Sequence, residues 1–302
     1  MATYNFKKQA EVYIVYGGNT TRLDVTEAIS FSQTFTDKTY SQRTLHEQHK
    51  LHEASSIKQA NPASFQLTIP ALTQNTLDVI FNLLVDTTSN TLNTFDLYIK
   101  LPNDVYKLER CVITNGTFMI EKLQNLKLSI QGQASKLTSK KATDLAVPNI
   151  NASRGTRTEQ RIRHITASVA GTAISDGLFS VSIELQNDIQ WTPYETVNDA
   201  LVVTNAATAM YPSNFTLEKR ILSGSLGQYI TSSFDSDVQT WGTNVAIIIK
   251  AGESATQGFQ LNLLNCTFTN RLNIQDAFSQ VYDWKMNDNP TDLGSKLKFN
   301  NI

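Results

Sequence analysis

Three histidines spaced by three, His46, His49 and His52, are side chains whose type and interval could do chemistry. On a helix that spacing would bring at least two imidazoles near one face, as a zinc site needs. No cysteine or carboxylate cluster nearby in sequence completes a four-ligand shell, so the stretch is read instead as a polar, solvated or partner-contacting loop. The fourth histidine, His164, begins a strand and is read as structural. Cys111 and Cys266 each lie on an apolar strand. A nucleophilic cysteine needs a histidine partner and a thiolate-stabilising setting, and neither is evident, so both are read as buried core thiols. The stretch Leu222-Ser223-Gly224-Ser225-Leu226-Gly227 lacks the Lys-Ser/Thr of a phosphate loop and the Gly-x-Ser-x-Gly of a nucleophile elbow. It reads as a strand with close packing or a bulge. Trp191-Thr192-Pro193-Tyr194 could stack a ligand, but it ends an alternating strand where Trp packs on a core edge and Pro breaks the ladder. No paired-carboxylate or Ser/His/Asp arrangement stands out. No catalytic, cofactor-binding or metal residue is assigned, and an enzyme is disfavoured.

The composition narrows the class. The chain has 302 residues with 26 Lys plus Arg against 27 Asp plus Glu, a formal charge of −1. A protein that grips nucleic acid directly needs clustered, uncompensated Lys and Arg, so a dedicated reader is disfavoured. The length suggests two domains, each able to bury a core. Two cysteines cannot form a disulfide scaffold, and the start, Met1 to Lys8, lacks the apolar core of a signal peptide. A cytoplasmic product is expected. The longest aliphatic stretch, Val245 to Ile249, is far short of the ~20 residues that span a bilayer. Roughly a third of the residues are Thr, Asn, Ser or Gln. Such residues suit the solvent face of sheets and contact between copies of one chain, where rows of like charge would repel.

Period-two alternation marks half-buried strands at Phe65 to Ile69, Leu126 to Gln131 and Phe179 to Leu185. Glu11 to Tyr16 and Val245 to Ile249 are apolar on both faces and should lie between layers, with Gly17-Gly18 ending the first. Helical spacing is present at Leu77, Ile80, Phe81 and Leu84, within Thr73 to Asp86, and again at Phe234, Val238 and Trp241. Both helices should flank a β core.

The order of elements then repeats. Strand Ala63 to Ile69, helix Thr73 to Asp86, strand Phe95 to Leu101 and a long strand pair to about Leu137 have later counterparts. These are strand Ser223 to Thr231, helix Ser233 to Trp241, strand Asn244 to Ala251 and a long pair to about Met286. Phe95 to Lys100 matches Val245 to Lys250, and Cys111 to Asn115 matches Cys266 to Asn270, at an offset of about 150 residues. A duplication is expected, dividing the chain at 1–150 and 151–302. Ser135 to Thr158 reads as the linker, and Asn287 to Ile302 as a short polar tail. Inside the first half Thr34 to Asn61 is polar and long, and a loop of that length is usually functional or disordered.

The Glu11 to Gly18 strand, the Glu27-Ala28-Ile29-Ser30-Phe31-Ser32-Gln33 segment, the long polar stretch and Asn61 to Ile69 resemble the first domain of a tail tube protein of long-tailed bacteriophages, of the duplicated kind. Asp188 to Pro193, Ser213 to Glu218 and Ser223 to Tyr229 resemble the second. The resemblance implies a mainly β fold: two tandem tube domains, each a β-sandwich or half-barrel with a short flanking helix. It also implies trimeric rings of pseudo-sixfold symmetry, stacked into a conduit for genome ejection. The implied partners are other copies of the chain, a tape measure protein, and tail tip and terminator proteins, with a sheath left open. DNA would pass through the lumen without specific binding, and the protein would reside in the virion tail. In the family the long loop reaches the adjacent ring, which assigns Tyr40, Arg43, His46, Glu47, His49, Lys50, His52 and Glu53 to an inter-ring contact. The lumen is expected to be neutral or acidic. A second reading is a tandem β-sandwich module that binds carbohydrate or protein as a monomer; a β-rich hydrolase ranks third.

Overall fold

The computed structural model describes residues 9–23, 27–43, 51–73, 79–80, 83–84, 92–150, 161–174, 177–192, 211–212, 214–230, 244–274, 277–287 and 297–301. The first half contains β1 (Glu11–Tyr16), β2 (Asn19–Leu23), β3 (Ala28–Ser32), β4 (Phe35–Arg43), β5 (Leu51–Ala60), β6 (Ala63–Ile69), β7 (Phe95–Lys100), β8 (Asp104–Glu121), β9 (Gln124–Asn125), β10 (Lys127–Ala134) and β11 (Lys136–Lys141). The second contains β12 (Arg161–Ile162), β13 (His164–Val169), β14 (Thr172–Ile174), β15 (Leu178–Thr192), β16 (Asn214–Tyr229), β17 (Val245–Ser254), β18 (Gln257–Ile274), β19 (Phe278–Met286) and β20 (Leu297–Asn301). The fold is mainly β, and among the described residues every strand pairing is antiparallel.

The alternating runs form the strands their periodicity requires. β6 buries Ala63, Phe65, Leu67 and Ile69 and leaves Ser64 and Gln66 exposed. β1 turns into β2 through Gly17 and Gly18, with φ of 58° and 81°, and β13 turns into β14 through Ala170 and Gly171, at 53° and 85°. Both are two-residue hairpins with left-handed turn residues, the type whose twist matches the strands.

β8 carries the architecture. Its first part pairs with β7 and β11 and its last part with β10 and β15, so one 18-residue strand belongs to two layers. The change is made at Arg110, held at φ 53°, where the register shifts between Phe95↔Cys111 and Leu97↔Leu108. β18 repeats this at Asn265, φ 60°, between Val245↔Cys266 and Ile247↔Leu263. A bulge of this kind bends the strand and sharpens its twist. The cysteines follow the bulges in both halves, and both are buried.

The pairing order repeats in full. β2-β1-β7-β8-β10-β6-β3 has the counterpart β14-β13-β17-β18-β19-β16-β15, with β11 on β8 matched by β20 on β18. The two runs are joined where β15 pairs with β8, so sixteen strands form a single sheet. One hydrophobic cluster runs through both halves, from Val12 and Leu97 to Leu263 and Trp284. Of the first expected helix, residues 79–80 and 83–84 are helical, with Ile80 and Leu84 buried in that cluster. Leu77, Phe81 and the second expected helix at 233–241 lie outside the described residues.

Glycines let rings cross the sheet. Phe65 on β6 lies opposite Gly132 on β10; in the second half the partners are exchanged, with Gly224 on β16 opposite Trp284 on β19. A Cβ at Gly132 would meet the Phe65 ring and the Val112 carbonyl, and one at Gly224 would meet the Ser182 carbonyl and the Trp284 ring.

Two stretches differ from expectation. Thr34 to Asn61, expected as a loop, is largely a paired ribbon: β4 and β5 form a two-stranded sheet from Phe35↔Ala60 to Arg43↔Leu51. It contains no Gly or Pro to break extended backbone, and backbone pairing does not require apolar side chains. The start of the expected linker is β11, paired with β8 from Lys136↔Glu109 to Lys141↔Asp104. Residues 151–160 of that linker lie outside the described residues.

Gly224→Val should destabilise the protein by about 1–3 kcal/mol or more, because the Ser182 carbonyl is backbone and cannot rotate aside. A lower urea midpoint at unchanged slope checks this.

Candidate assembly surface

The sheet turns one face to the core and leaves the other open. Across the open face the side chains run in registered rows. One is Gln186–Asn115–Gln131–Gln66–Ser30; the next is Glu184–Thr117–Ser129–Thr68, continuing on the other side of Glu184 through Ser223, Lys285 and Thr267. The rows are mostly hydroxyls and amides. Ser182 and Ser225 share a hydrogen bond of 2.8 Å, Ser32 and Ser64 one of 3.1 Å. Glu184 and Lys285 share the second row, and two further rows each pair an acid with a base: Glu121–Ser180–Gly227–Val281–Arg271 and Lys127–Met119–Ser182–Ser225–Asp283. Arg271 grips Asp283 bidentately, with Nη2 donating to Oδ1 at 2.9 Å, and Lys127 lies 3.8 Å from Glu27.

The junction between the halves is tightly registered. β15 meets β8 from Ser180↔Glu121 to Gln186↔Asn115, with Val181 opposite Ile120 and Ile183 opposite Phe118. Asn115 Nδ2 donates to Glu184 Oε1 at 3.2 Å, and buried Asn187 donates from Nδ2 to the Ile113 carbonyl at 2.9 Å while its Oδ1 accepts from Arg220 Nε at 3.1 Å. Beyond β15 the turn after β8 is also paired, since β12 pairs with β9 and the Leu123 amide donates to the Ile162 carbonyl.

The arms project from the same hairpins in the two halves. In the second half β15 and β16 stay paired down to Thr192↔Asn214, with a bulge between Asp188 and Ile189. In the first half the same hairpin is interrupted between β3 and β4 and between β5 and β6. There Pro62 has no N–H to give, and Asn61 bonds Thr34 through its amide and its side chain, both at 2.9 Å. Gln33 fastens this joint to the corner between β10 and β11. Its Nε2 donates to the Asn61 and Ser135 carbonyls, and its Oε1 accepts from the Leu137 amide at 2.8 Å. Ser135 Oγ in turn donates to the Pro212 carbonyl at 2.5 Å, at the foot of the other arm.

Of the residues assigned from sequence, Tyr40, Arg43, His52 and Glu53 stand on the β4–β5 ribbon, with Gln42 opposite His52 and Ser41 opposite Glu53. His46, Glu47, His49 and Lys50 lie outside the described residues. His164 opens β13 and lines an open cleft of about 340 Å³ with Lys122, Arg163 and Tyr229. Trp191 packs on Phe215 across β15 and β16 at 5.3 Å between ring centroids. Among the described residues no group of three or more His, Cys, Asp and Glu side chains converges as metal ligands do, and no helix is long and apolar enough to cross a membrane. Burial pushes the Cys111 thiol well above its ordinary range. Lys107 is held above its ordinary value. Burial opposes this, but Asp96 at 3.1 Å and Glu109 at 3.3 Å outweigh it.

The candidate site is thus a surface instead of a pocket: a sheet that spans both halves, a polar face, and paired arms. The model of the Bacteriophage Baseplate Tube Protein Family matches residues 2–300, and the chain belongs to that family. It is a structural phage protein of the tail or baseplate tube. No curated protein matches the chain.

Neither thiol of the folded protein should react with a thiol reagent at pH 8, and both should after denaturation. Stability should also fall as pH rises past the ordinary thiol range, because the unfolded chain then ionises Cys111 while the folded chain keeps the proton. Alkaline denaturation curves of the parent and of Cys111→Ala would expose the difference in slope.

Proposed function

We propose that the chain is a tube subunit of two tandem domains, residues 1–150 and 151–302. Three copies close a ring of pseudo-sixfold symmetry, and rings stack into a hollow conduit through which the genome leaves the virion. The observation that carries this reading is the β8–β15 junction: two runs of identical strand order already stand side by side in one sheet, as successive domains of a ring must. A ring also removes the free sheet edges that make an open sheet prone to aggregate. Closure requires a heterologous contact whose rotation returns to the start, and obligate contacts of this kind bury on the order of 2,000 Å² or more.

The open face suits a lumen. Hydroxyls, amides and compensated charges give a passing polyanion no ladder of cations to bind, so DNA can slide. The β4–β5 arm, with Tyr40, Arg43, His46, Glu47, His49, Lys50, His52 and Glu53, reaches the adjacent ring, and the distal part of β15–β16 makes the corresponding reach from the second domain. A tape measure protein sets the length within the lumen, and tip and terminator proteins end the stack.

Electron microscopy of the concentrated protein should show hollow filaments or rings with three chains in each. A protein that stays monomeric even when tail-tip complexes are added to nucleate growth would overturn the reading. Replacing Ser41–Glu53 by an Asn-Gly turn, which lets Tyr40 and Ala54 stay paired, should leave a folded protein with a nearly unchanged thermal midpoint and abolish filament growth. Filaments of normal length would remove the arm from the contact between rings.

A further inference from the structure

The two halves can be superposed residue by residue through their registers. Cys111 and Cys266 occupy the same place after the bulge. One extra residue, Thr114, then enters β8, where the register with β10 shifts between Gly132↔Ile113 and Gln131↔Asn115; β18 and β19 pair without a shift. Phe118 therefore corresponds to Leu272, Ile120 to Ile274, and Leu126, two residues before the partner of Phe118, to Phe278.

These matched residues differ in one respect. Phe118, Ile120 and Leu126 are 7%, 0% and 0% exposed, whereas Leu272, Ile274 and Phe278 are 61%, 65% and 54% exposed. The first three are covered where β15 lies along β8 and β12 pairs with β9 beside it. On β18 the corresponding side is bare: residues 267–274 pair with β19 alone among the described strands. At the far end of the sheet, β3, the counterpart of β15, pairs with β6 alone among the described strands. The registers β3–β6 and β15–β16 align Ile29 with Val181, Phe31 with Ile183 and Ser32 with Glu184.

We infer that the chain joins a second copy of itself by laying β3 of one copy antiparallel along the end of β18 of the next, with Ile29 opposite Ile274, Phe31 opposite Leu272 and Ser32 opposite Arg271. The internal β8–β15 junction supplies the register, and side-chain chemistry agrees with it at each position. Apolar meets apolar on the core face and polar meets polar on the open face, where a slip of one residue would reverse both. The partner is a strand of this same chain, and the addition is strand augmentation, with backbone bonds giving affinity and the apolar pairs giving register. This assignment rests on the tube reading and names the contact that closes its ring.

The test bridges Ser32→Cys to Arg271→Cys in assembled rings with a short bismaleimide, whose reach covers the roughly 5 Å between directly opposed Cβ atoms. Both native positions are exposed and both native cysteines are buried. Thr117→Cys with Glu184→Cys, the matching pair inside one chain, is the positive control and should link without joining chains. The expected result is a covalent ladder that stops at three chains, with neither single variant linking. Rings visible by microscopy, a linked control and no ladder would overturn the junction and leave the tube standing. A ladder ending at another number would keep the junction and overturn the three-chain ring. An absence of rings of any kind would overturn both. As a second measure, Leu272→Asp with Ile274→Asp should keep the monomer's thermal midpoint and lose ring formation; rings that persist would overturn the junction.

Discussion

An extended strand must find hydrogen-bond partners for its backbone on both sides or leave them to water, and a buried group left unpaired costs about 1–3 kcal/mol. In this chain that constraint converges on the second part of β8, paired by β10 on one side and β15 on the other. Because the same strand reaches back into the other layer beside β7 and β11, it fixes how the layers sit as well as how the halves meet. The helical segment depends on it too. Leu84 packs over Gly116, which lies opposite Leu185 of β15, and a Cβ at Gly116 would collide with the Leu84 side chain.

The exchange of Phe65 over Gly132 for Trp284 beside Gly224 shows what the repeat conserves and what it releases. The volume between the layers is filled by an aromatic ring at the same register in both halves, but the ring comes from different strands. Such swaps are tolerated when total volume is kept. They erase sequence identity while leaving pairing order intact.

This explains what could be read from the residues alone. β6, β10 and β15 announce themselves through strict alternation, because one face is buried and the other is not. The repeat is legible at Cys111 and Cys266 because a bulge with a left-handed residue constrains its neighbourhood. The β4–β5 ribbon was not legible as strands, since polar residues such as Thr36, Asp37 and Lys38 beside Gln59 and Lys58 carry no alternation to detect. β11 escaped for a similar reason, with Lys136, Ser139, Lys140 and Lys141 masking a strand that pairs along β8. The open edges could not be seen at all. Leu272, Ile274 and Phe278 look like any core residues until the structure leaves them in water. Family membership enters through most of the chain at once, residues 2–300, because the function resides in shape and pairing instead of a short catalytic signature.

The joint at Pro62 has a mechanical meaning. One arm leaves the sheet through a break clasped by Gln33 and Asn61, the other as a continuous strand pair with a single bulge between Asp188 and Ile189. In the proposed ring, jointed and continuous struts therefore alternate around the axis. Because stiffness summed over three equivalent positions has no preferred axis, such a stack would bend evenly in every direction while its inter-ring struts alternate in kind, a difference that an assembly of six identical subunits would not possess.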